Sequence, residues 1–171
     1  ILLPSTASAV TSSQSTARKR LAVVTTEWRY HSHAWHMAER FLVGYPINGE
    51  WHKPELDVVS AYVDQFPEND LSRKRSEEFG FSLYKTVAEA LRCGGNELAV
   101  DAVLLIGEHG KYELSEYGQT KYPRYELFKQ VTDVFRKDGR SVPVFNDKHL
   151  SWKWDWAKEM YDLSKELNFA F

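Results

Sequence analysis

The sequence predicts an α/β protein built on a doubly wound parallel β-sheet of about six strands, with helices on both faces. Short apolar runs rich in β-branched residues alternate along the chain with amphipathic helical segments. The connections are mostly short and carry Gly, Pro, Asn or Asp, which is typical of turns between strands and helices. One run, residues 100–107 (VDAVLLIG), is apolar on both faces, as expected for a central strand covered from both sides. Alternation of this kind predicts a parallel sheet with right-handed crossovers.

The first unit of this pattern covers residues 20–42 and contains a strand at 21–25, a turn at 26–31 and a helix at 32–42. The strand is short, apolar and partly β-branched, which favours a buried position. The helix carries an apolar stripe at positions i, i+3, i+4 and i+7. The members of this stripe are Ala34, Met37, Ala38 and Phe41. A buried strand that leads through a tight turn into a helix is the usual first unit of a dinucleotide-binding domain.

The later elements are marked by apolar runs and capping residues. Strands are predicted at residues 57–63, 81–84, 100–107 and 141–145, and a sixth strand is predicted to begin at 169–171. Helices are predicted between the N-cap Asp70 and Gly80, from Thr86 to Gly94, from Pro123 to Asp138, and from Lys153 to Leu167 with Ser151 as the cap. Thr86 and Glu89 have the spacing of a capping box. Residues 43–56 contain two glycines and two prolines and are predicted to form a loop.

Polar residues follow the predicted strands, at the edge where a parallel sheet binds its ligands. In such sheets the ligands lie beyond the carboxyl ends of the strands. Four segments of the chain are predicted to lie at this edge: residues 25–32, 64–66, 107–110 and 146–149. We therefore expect the chemistry of the protein to lie in these turns.

Composition excludes several classes of protein. The chain has 171 residues, which suits one domain with a core of its own. A net charge of −2 gives no reason to expect a nucleic acid as partner. No apolar run approaches the roughly 20 residues that a membrane helix requires. Cys93 is the only cysteine, so neither a disulfide framework nor a cysteine-based zinc site is possible within the chain. We expect a small-molecule substrate, and the sequence is compatible with a homo-oligomer.

Residues 1–18 are small, polar and rich in Ser, Thr and Ala, and we expect them to precede a folded domain at residues 19–171. Two interpretations of this leader are open. Residues 7–9 (Ala-Ser-Ala) have the small-x-small pattern of an export-signal cleavage site, which predicts a periplasmic protein. Alternatively, the segment is a disordered leader of a cytoplasmic protein.

Three segments resemble the nucleotide-binding domain of the Gfo/Idh/MocA oxidoreductases, the group of glucose–fructose oxidoreductase and inositol dehydrogenase. Residues 62–91 are similar to the second strand, acidic residue, helix, short strand and following helix of that family. Residues 100–110 (VDAVLLIGEHG) are similar to the strand that ends beside the nicotinamide. Residues 141–171 are similar to the strand with the Glu-Lys-Pro motif and the helix after it. The resemblance runs over roughly residues 20–171.

This resemblance implies a Rossmann-like domain of an oxidoreductase that uses NAD or NADP on a sugar or polyol-like substrate. Asp147, Lys148 and His149 stand where the family has Glu, Lys and Pro, which implies a catalytic role near the nicotinamide and the substrate. The second, substrate-binding domain of the family is expected to be absent from this chain. The residues expected to contact the cofactor are Thr25, Thr26, Arg29, His33, Asp64, Gly107 and Glu108.

The chain departs from the family at its first turn. The family opens with G-x-G-x-x-G, and aligning His33 with the histidine that follows this motif puts Thr25, Glu27 and Tyr30 at the glycine positions. Glycine is needed there for the tight turn and for the close approach of the pyrophosphate. The distance from Thr26 to Asp64 is 38 residues, against about 20 in the usual motif. The sequence therefore predicts a non-standard cofactor loop.

Two other functions are compatible with the sequence. In the first, the domain is a binding or assembly module that has lost dinucleotide binding. In the second, it is a histidine-based metal-dependent hydrolase or lyase. The candidate metal ligands are His33, His36 and His109, although their spacing matches none of the specific zinc motifs.

Overall fold

Five parallel strands form the central sheet of the protein. The structure is a computed structural model and describes residues 17–171. The strands of this sheet are β1 (Lys19–Thr25), β4 (Leu56–Val63), β5 (Ser82–Tyr84), β6 (Ala102–Ile106) and β7 (Val144–Asn146). Their order is β5-β4-β1-β6-β7, and each neighbouring pair is parallel. The chain thus winds outward from β1 in both directions, which confirms the predicted doubly wound fold.

Helices follow the strands in the predicted order. They are α1 (His33–Val43), α2 (Ser72–Phe79), α3 (Val87–Arg92), α4 (Arg124–Asp138) and α5 (Trp154–Glu166). The side chain of Ser32 caps α1 by accepting a hydrogen bond from the amide of Trp35. The capping box of Thr86 and Glu89 is confirmed at the start of α3.

Within residues 17–171, no helix is long and apolar enough to cross a membrane.

Two predicted helix caps are wrong. Leu71 rather than Asp70 precedes α2, and the Asp70 carboxylate accepts hydrogen bonds from the hydroxyl of Ser72. The backbone of Asp70 pairs with that of Arg29 in an isolated antiparallel bridge, which ties it to the first turn instead. Ser151 accepts a hydrogen bond from the amide of Lys153, and α5 begins one residue later without a side-chain cap.

The predicted loop at residues 43–56 contains a β-hairpin. Strands β2 (Tyr45–Ile47) and β3 (Glu50–His52) pair antiparallel and are joined by Asn48 and Gly49. Both turn residues have positive φ angles, of 51° and 84°. An Asn-Gly pair favours this two-residue turn, so the signal was present in the sequence.

The predicted sixth strand does not form. Near β7, residues 169–171 make one backbone hydrogen bond, from the amide of Val144 to the carbonyl of Ala170. The ring of Phe169 packs against the core ring of Phe135, with centroids 5.3 Å apart, so this segment turns onto α4 instead of extending the sheet. The predicted leader falls mainly on residues 1–16, which lie outside the described residues.

Alternating residues of β1 divide the core into two halves. Leu21 and Val23 pack on one face of the sheet, against α1 and residues of α2. Ala22 and Val24 pack on the other face, against α3, α4 and α5. Both faces of the central strand are therefore covered, and the carboxyl edge of the sheet is left for polar residues.

Candidate active site

The carboxyl ends of β1, β6 and β7 lie side by side, and the polar residues beyond them form one cluster. The direction of winding reverses between β1 and β6, which is where doubly wound proteins open a crevice for ligands. We call this group the edge cluster. Its members are Glu27, Arg29, His33, Glu108, His109, Arg124, Asp147 and His149.

His33 and Asp147 form a hydrogen-bonded pair in the edge cluster. The Nδ1 atom of His33 lies 2.5 Å from Oδ2 of Asp147. Asp147 is 8% exposed, and its amide is bonded to the carbonyl of Leu105 in β6, which fixes its position at the end of β7. An ionised carboxylate only accepts hydrogen bonds, so the proton of the neutral imidazole sits on Nδ1 and leaves a lone pair on Nε2. A histidine held in this way can take a proton from a substrate.

His109 lies beside this pair and is held by an arginine. Its ring packs edge to face on the ring of His33, with centroids 5.0 Å apart. Nη2 of Arg29 lies 3.4 Å from Nδ1 of His109, and Nε of the same guanidinium donates to Glu27 at 2.8 Å. Nε2 of His109 is buried and has no hydrogen-bond partner among the described residues, 17–171. Burial first, and then the charge of Arg29, lowers the pKa of the His109 imidazole.

A second arginine joins Glu108 to His149. Arg124, the first residue of α4, is 1% exposed and its Nη2 atom donates to the carboxylate of Glu108. Its Nη1 atom lies 3.2 Å from Nε2 of His149. Burial of the imidazole and the charge of Arg124 lower the pKa of His149. The charged guanidinium of Arg124 and the neutral imidazole of His149 therefore lie together near the carboxyl end of β6.

Gly107 provides room for this arginine. A Cβ atom at Gly107 would lie 2.6 Å from Cγ and 3.2 Å from Cα of Arg124, closer than a side chain tolerates. Glycine at this position therefore lets α4 begin close against the end of β6. The resemblance predicted a cofactor contact for Gly107, and the structure gives the residue this packing role.

Lys148 projects from the turn between Asp147 and His149. It is exposed and has a left-handed backbone conformation, with a φ angle of 67°. It forms no side-chain hydrogen bond or ion pair with the residues at positions 17–171. The three residues of this turn thus differ in role: Asp147 is buried against His33, His149 is bonded to Arg124, and Lys148 extends toward solvent.

Asp64 lies at the end of β4, away from the edge cluster. Its two carboxylate oxygens accept hydrogen bonds from the hydroxyls of Tyr62 and Tyr112, each at 2.7 Å. Tyr112 belongs to residues 108–122, which we call the arm. The arm is also attached through Lys111, whose amide donates to Gln65 at 2.9 Å and whose carbonyl accepts from Gln65 at 3.2 Å. Asp64 therefore secures the arm.

The first turn does not fit a dinucleotide in the usual position. Thr25 and Thr26 are fully buried, and their hydroxyls bond to backbone carbonyls of the turn and of β6 and its end. Glu27 adds a largely buried carboxylate, paired with Arg29, to this turn, and Trp28 is fully buried and stacked on Phe81. Close approach of phosphate needs small residues and free amides at this turn.

The histidines considered as metal ligands are only partly brought together. His33 and His109 are adjacent, whereas His36 stacks on His31, with centroids 6.0 Å apart, and meets Trp35 edge to face at 4.8 Å. Within residues 17–171, no group of three or more His, Cys, Asp or Glu side chains is arranged to hold a metal ion.

Sequence reasoning missed two residues that shape the site. Arg124 lies at the start of a helix and its only sequence signal was a cation among apolar neighbours. Tyr112 lies in the middle of a polar loop and carries no signal for its contact with Asp64, 48 residues earlier. The sequence singled out Glu27, Arg29 and His109, but the contacts by which Arg29 joins the other two follow only from the folded turn.

The comparisons with known proteins concern the fold. No family model matches the sequence, and no curated protein does. The structure is similar to a dehydrogenase, MviM, from Clostridium difficile, with a TM-score of 0.55 and 14% identity over 88% of this chain and 37% of that chain. It is also similar to UDP-N-acetylglucosamine 3-dehydrogenase GnnA from Acidithiobacillus ferrooxidans, with a TM-score of 0.51 and 11% identity over 88% of this chain and 36% of that chain.

Both similar structures are members of the Gfo/Idh/MocA family. This chain spans little more than a third of the length of either one. At such low identity the likeness concerns the fold alone, and the predicted resemblance is confirmed at that level. The chain therefore has a Rossmann-like α/β fold.

Proposed function

We propose that this chain carries out proton transfer on a small sugar or polyol-like substrate at the carboxyl edge of its sheet. His33 is the base in this proposal, and Asp147 positions it. The observation that supports the proposal is the 2.5 Å contact between Nδ1 of His33 and Oδ2 of Asp147, because it leaves Nε2 of His33 with a lone pair. The side chain of His33 is 24% exposed, so a substrate can reach it.

The substrate class rests on the similar structures and on the residues around the pair. One of the similar proteins is named as a dehydrogenase of UDP-N-acetylglucosamine, which is a sugar nucleotide. Here the exposed Lys148 and the imidazole of His149 stand beside Asp147 and can bind hydroxyl groups. A positioned histidine of this type contributes about 10²–10⁴-fold to a proton transfer.

The second candidate is an NAD(P)-dependent oxidoreductase with Lys148 at the reacting end. A cavity of about 340 Å³ at the ends of β4 and β5 favours a nucleotide there. Asp64 lines this cavity together with the cations Arg73 and Lys85, which suit the ribose and a phosphate. The first turn, which does not fit a pyrophosphate, weighs against this candidate.

Proton nuclear magnetic resonance in D₂O tests the first proposal. Sugars, sugar acids and polyols are incubated with the protein, and loss of a C–H signal or appearance of a product is followed. We expect at least one compound to react. His33→Gln and Asp147→Asn should slow that reaction by about 10²-fold or more. His36→Gln is the matched control, because His36 lies on the same helix and stacks on His31 rather than His33.

The proposal is overturned if no compound reacts, or if His33→Gln reacts as fast as the unaltered protein. Titration with NADH and with NADPH, followed by nicotinamide fluorescence, tests the second candidate. Binding that is lost in Arg73→Ala would favour the nucleotide at the cavity near Asp64. No binding of either cofactor at millimolar concentration would exclude the second candidate.

A further inference from the structure

His109 is an imidazole with one nitrogen engaged and one buried without a partner. Nδ1 faces the guanidinium of Arg29 at 3.4 Å, and Nε2 is buried without a hydrogen-bond partner among residues 17–171. The backbone of His109 is left-handed, with a φ angle of 70°. A side chain other than glycine adopts this conformation at some cost, which is usually met at functional positions.

The contact with Arg29 decides which nitrogen of His109 carries the proton. A guanidinium has only donors and stays charged, so Nδ1 of His109 must accept. The imidazole is then neutral, with its proton on Nε2. The titratable and charged groups that face it are Arg29, His33, Glu108 and Glu27, and burial together with Arg29 lowers its pKa. His109 therefore remains in this tautomer at neutral pH.

A buried donor without a partner favours a bound oxygen atom. Leaving such a group unsatisfied is costly, and native structures rarely keep one without a reason. The ring of His109 meets that of His33 edge to face, at an angle of 77° with centroids 5.0 Å apart, so the two imidazoles are in contact. The base and the unpartnered donor thus belong to neighbouring side chains.

We propose that Nε2–H of His109 holds the carbonyl oxygen of the substrate, and that the substrate is an α-hydroxycarbonyl compound such as a keto sugar or an aldose. This inference rests on the function proposed above and names its substrate class. Nε2 of His33 takes the proton from the carbon next to the carbonyl. The electrons of that C–H bond form a C=C bond, and the π electrons of the carbonyl move to its oxygen, which becomes an oxyanion bonded to His109.

The reverse transfer completes the step. The oxyanion gains a proton from the adjacent hydroxyl, whose oxygen becomes the new carbonyl oxygen, and His33 returns its proton to the neighbouring carbon. Every proton and electron pair is thus conserved, and neither an oxidant nor a reductant is required. A neutral imidazole is suited to this task, because it donates to a developing oxyanion without giving up its proton beforehand.

The first test reads the tautomer of His109 without any substrate. Nitrogen-15 magnetic resonance distinguishes a protonated from an unprotonated ring nitrogen. We expect Nε2 of His109 to carry the proton at neutral pH, and the signal to move toward the Nδ1-protonated form or the cation in Arg29→Met. A His109 that carries its proton on Nδ1 in the unaltered protein would overturn the inference.

The second test uses exchange of the α-proton for deuterium in D₂O, with dihydroxyacetone, glyceraldehyde, xylulose and fructose as probes. His109→Gln keeps an N–H group near Nε2, whereas His109→Leu removes it. We expect exchange to fall about 10²-fold or more in His109→Leu, in line with loss of one oxyanion donor, and to be largely retained in His109→Gln. Circular dichroism verifies that both variants are folded.

The outcomes separate this inference from the proposed function. If exchange depends on His33 and is unaffected in His109→Leu, the inference is wrong and the proposed function stands. If the protein reacts with sugar acids or polyols but exchanges no α-proton of the four probes, the substrate class is wrong. If no compound of any class reacts, both are overturned.

Discussion

Arg92 in α3 and Asp138 at the end of α4 form a two-pronged ion pair that joins the two helices. Nε of Arg92 lies 2.9 Å from Oδ2 of Asp138, and Nη2 lies 2.5 Å from Oδ1. The two side chains are 12% and 4% exposed, so the pair is largely shielded from water. This contact joins α3 and α4 on the sheet face opposite α1.

Replacing Asp138 by Asn should lower the free energy of unfolding by about 2 kcal/mol, because it leaves a shielded guanidinium without its charged partner. The hydrogen bond from Arg92 lowers the pKa of Asp138, so the contribution is present at neutral pH and is lost as pH falls below the ordinary carboxyl range. Urea unfolding measures the change. Glu166→Gln is the control, because its partner Arg136 is exposed and the loss should stay below about 1 kcal/mol.

A side chain at Gly107 should disturb the site through Arg124. In Gly107→Ala the added Cβ would lie 2.6 Å from Cγ of Arg124, so α4 or the arginine has to shift. We expect a loss of about 1–3 kcal/mol in unfolding free energy. Gly107→Ala combined with Arg124→Ala should lose less than the sum of the two single changes. Full additivity would contradict the steric explanation.

His109 and His149 should make the fold sensitive to mild acid. Their pKa values are lowered in the folded protein, so the unfolded chain takes up protons at a higher pH than the folded one. Proton uptake below the ordinary histidine pKa therefore favours unfolding, and stability should fall from about pH 7 to pH 5. Urea unfolding of His109→Gln and His149→Gln should show a smaller fall, and His52→Gln, an exposed control, should not. Unchanged pH dependence in both site variants would refute the assignment.

The two tyrosines that donate hydrogen bonds to Asp64 should lose their phenolic protons only at unusually high pH. Burial, followed by the hydrogen bond to Asp64, raises the pKa of Tyr62 to about 12 and that of Tyr112 further. Asp64→Asn removes the negative acceptor, and phenolate absorbance should then develop at lower pH. Tyr125, whose pKa of about 12 depends on burial and Glu159, provides an internal reference that should not move. No change in the titration of either Tyr62 or Tyr112 would contradict the contact.

Trp28 should contribute to stability as a core residue does, although it lies in the first turn. Its ring is fully buried and lies 5.6 Å from that of Phe81, nearly parallel to it. Trp28→Ala should cost about 3–5 kcal/mol in calorimetry or urea unfolding. Trp28→Phe should cost less, since it keeps an aromatic ring and removes an indole N–H that has no partner in the part of the chain that the structure describes. Trp154→Ala, at a side chain 79% exposed, should change stability by less than about 0.5 kcal/mol.

The sequence predicted the fold through local signals. Three patterns depend only on residues that are close in the sequence, so they can be recognised without the structure. They are the apolar run of β6, the capping box of Thr86, and the alternation of strands and helices. The same is true of the Asn48-Gly49 turn, whose two positive φ angles an Asn-Gly pair favours. The location of the site followed from the strand ends alone.

The contacts within the site depend on long-range geometry. His33 and Asp147 are 114 residues apart and Arg29 and His109 are 80 apart, and no spacing rule joins them. The resemblance drew attention to Lys148, whereas the residues it set beside that lysine, Asp147 and His149, are the ones with internal partners. Tertiary packing, rather than the local pattern, therefore decides which polar groups act together.

Tyr112 of the arm competes with any external ligand for the carboxylate of Asp64. Any ligand that binds this carboxylate must displace the hydroxyl of Tyr112 or share the oxygens with it. Because the arm is also attached to Gln65 through Lys111, Tyr112 returns at a high effective concentration after each displacement. Binding of a ligand at the end of β4 is therefore linked to release of residues 108–122. Such a ligand should increase the rate of amide hydrogen exchange in the arm.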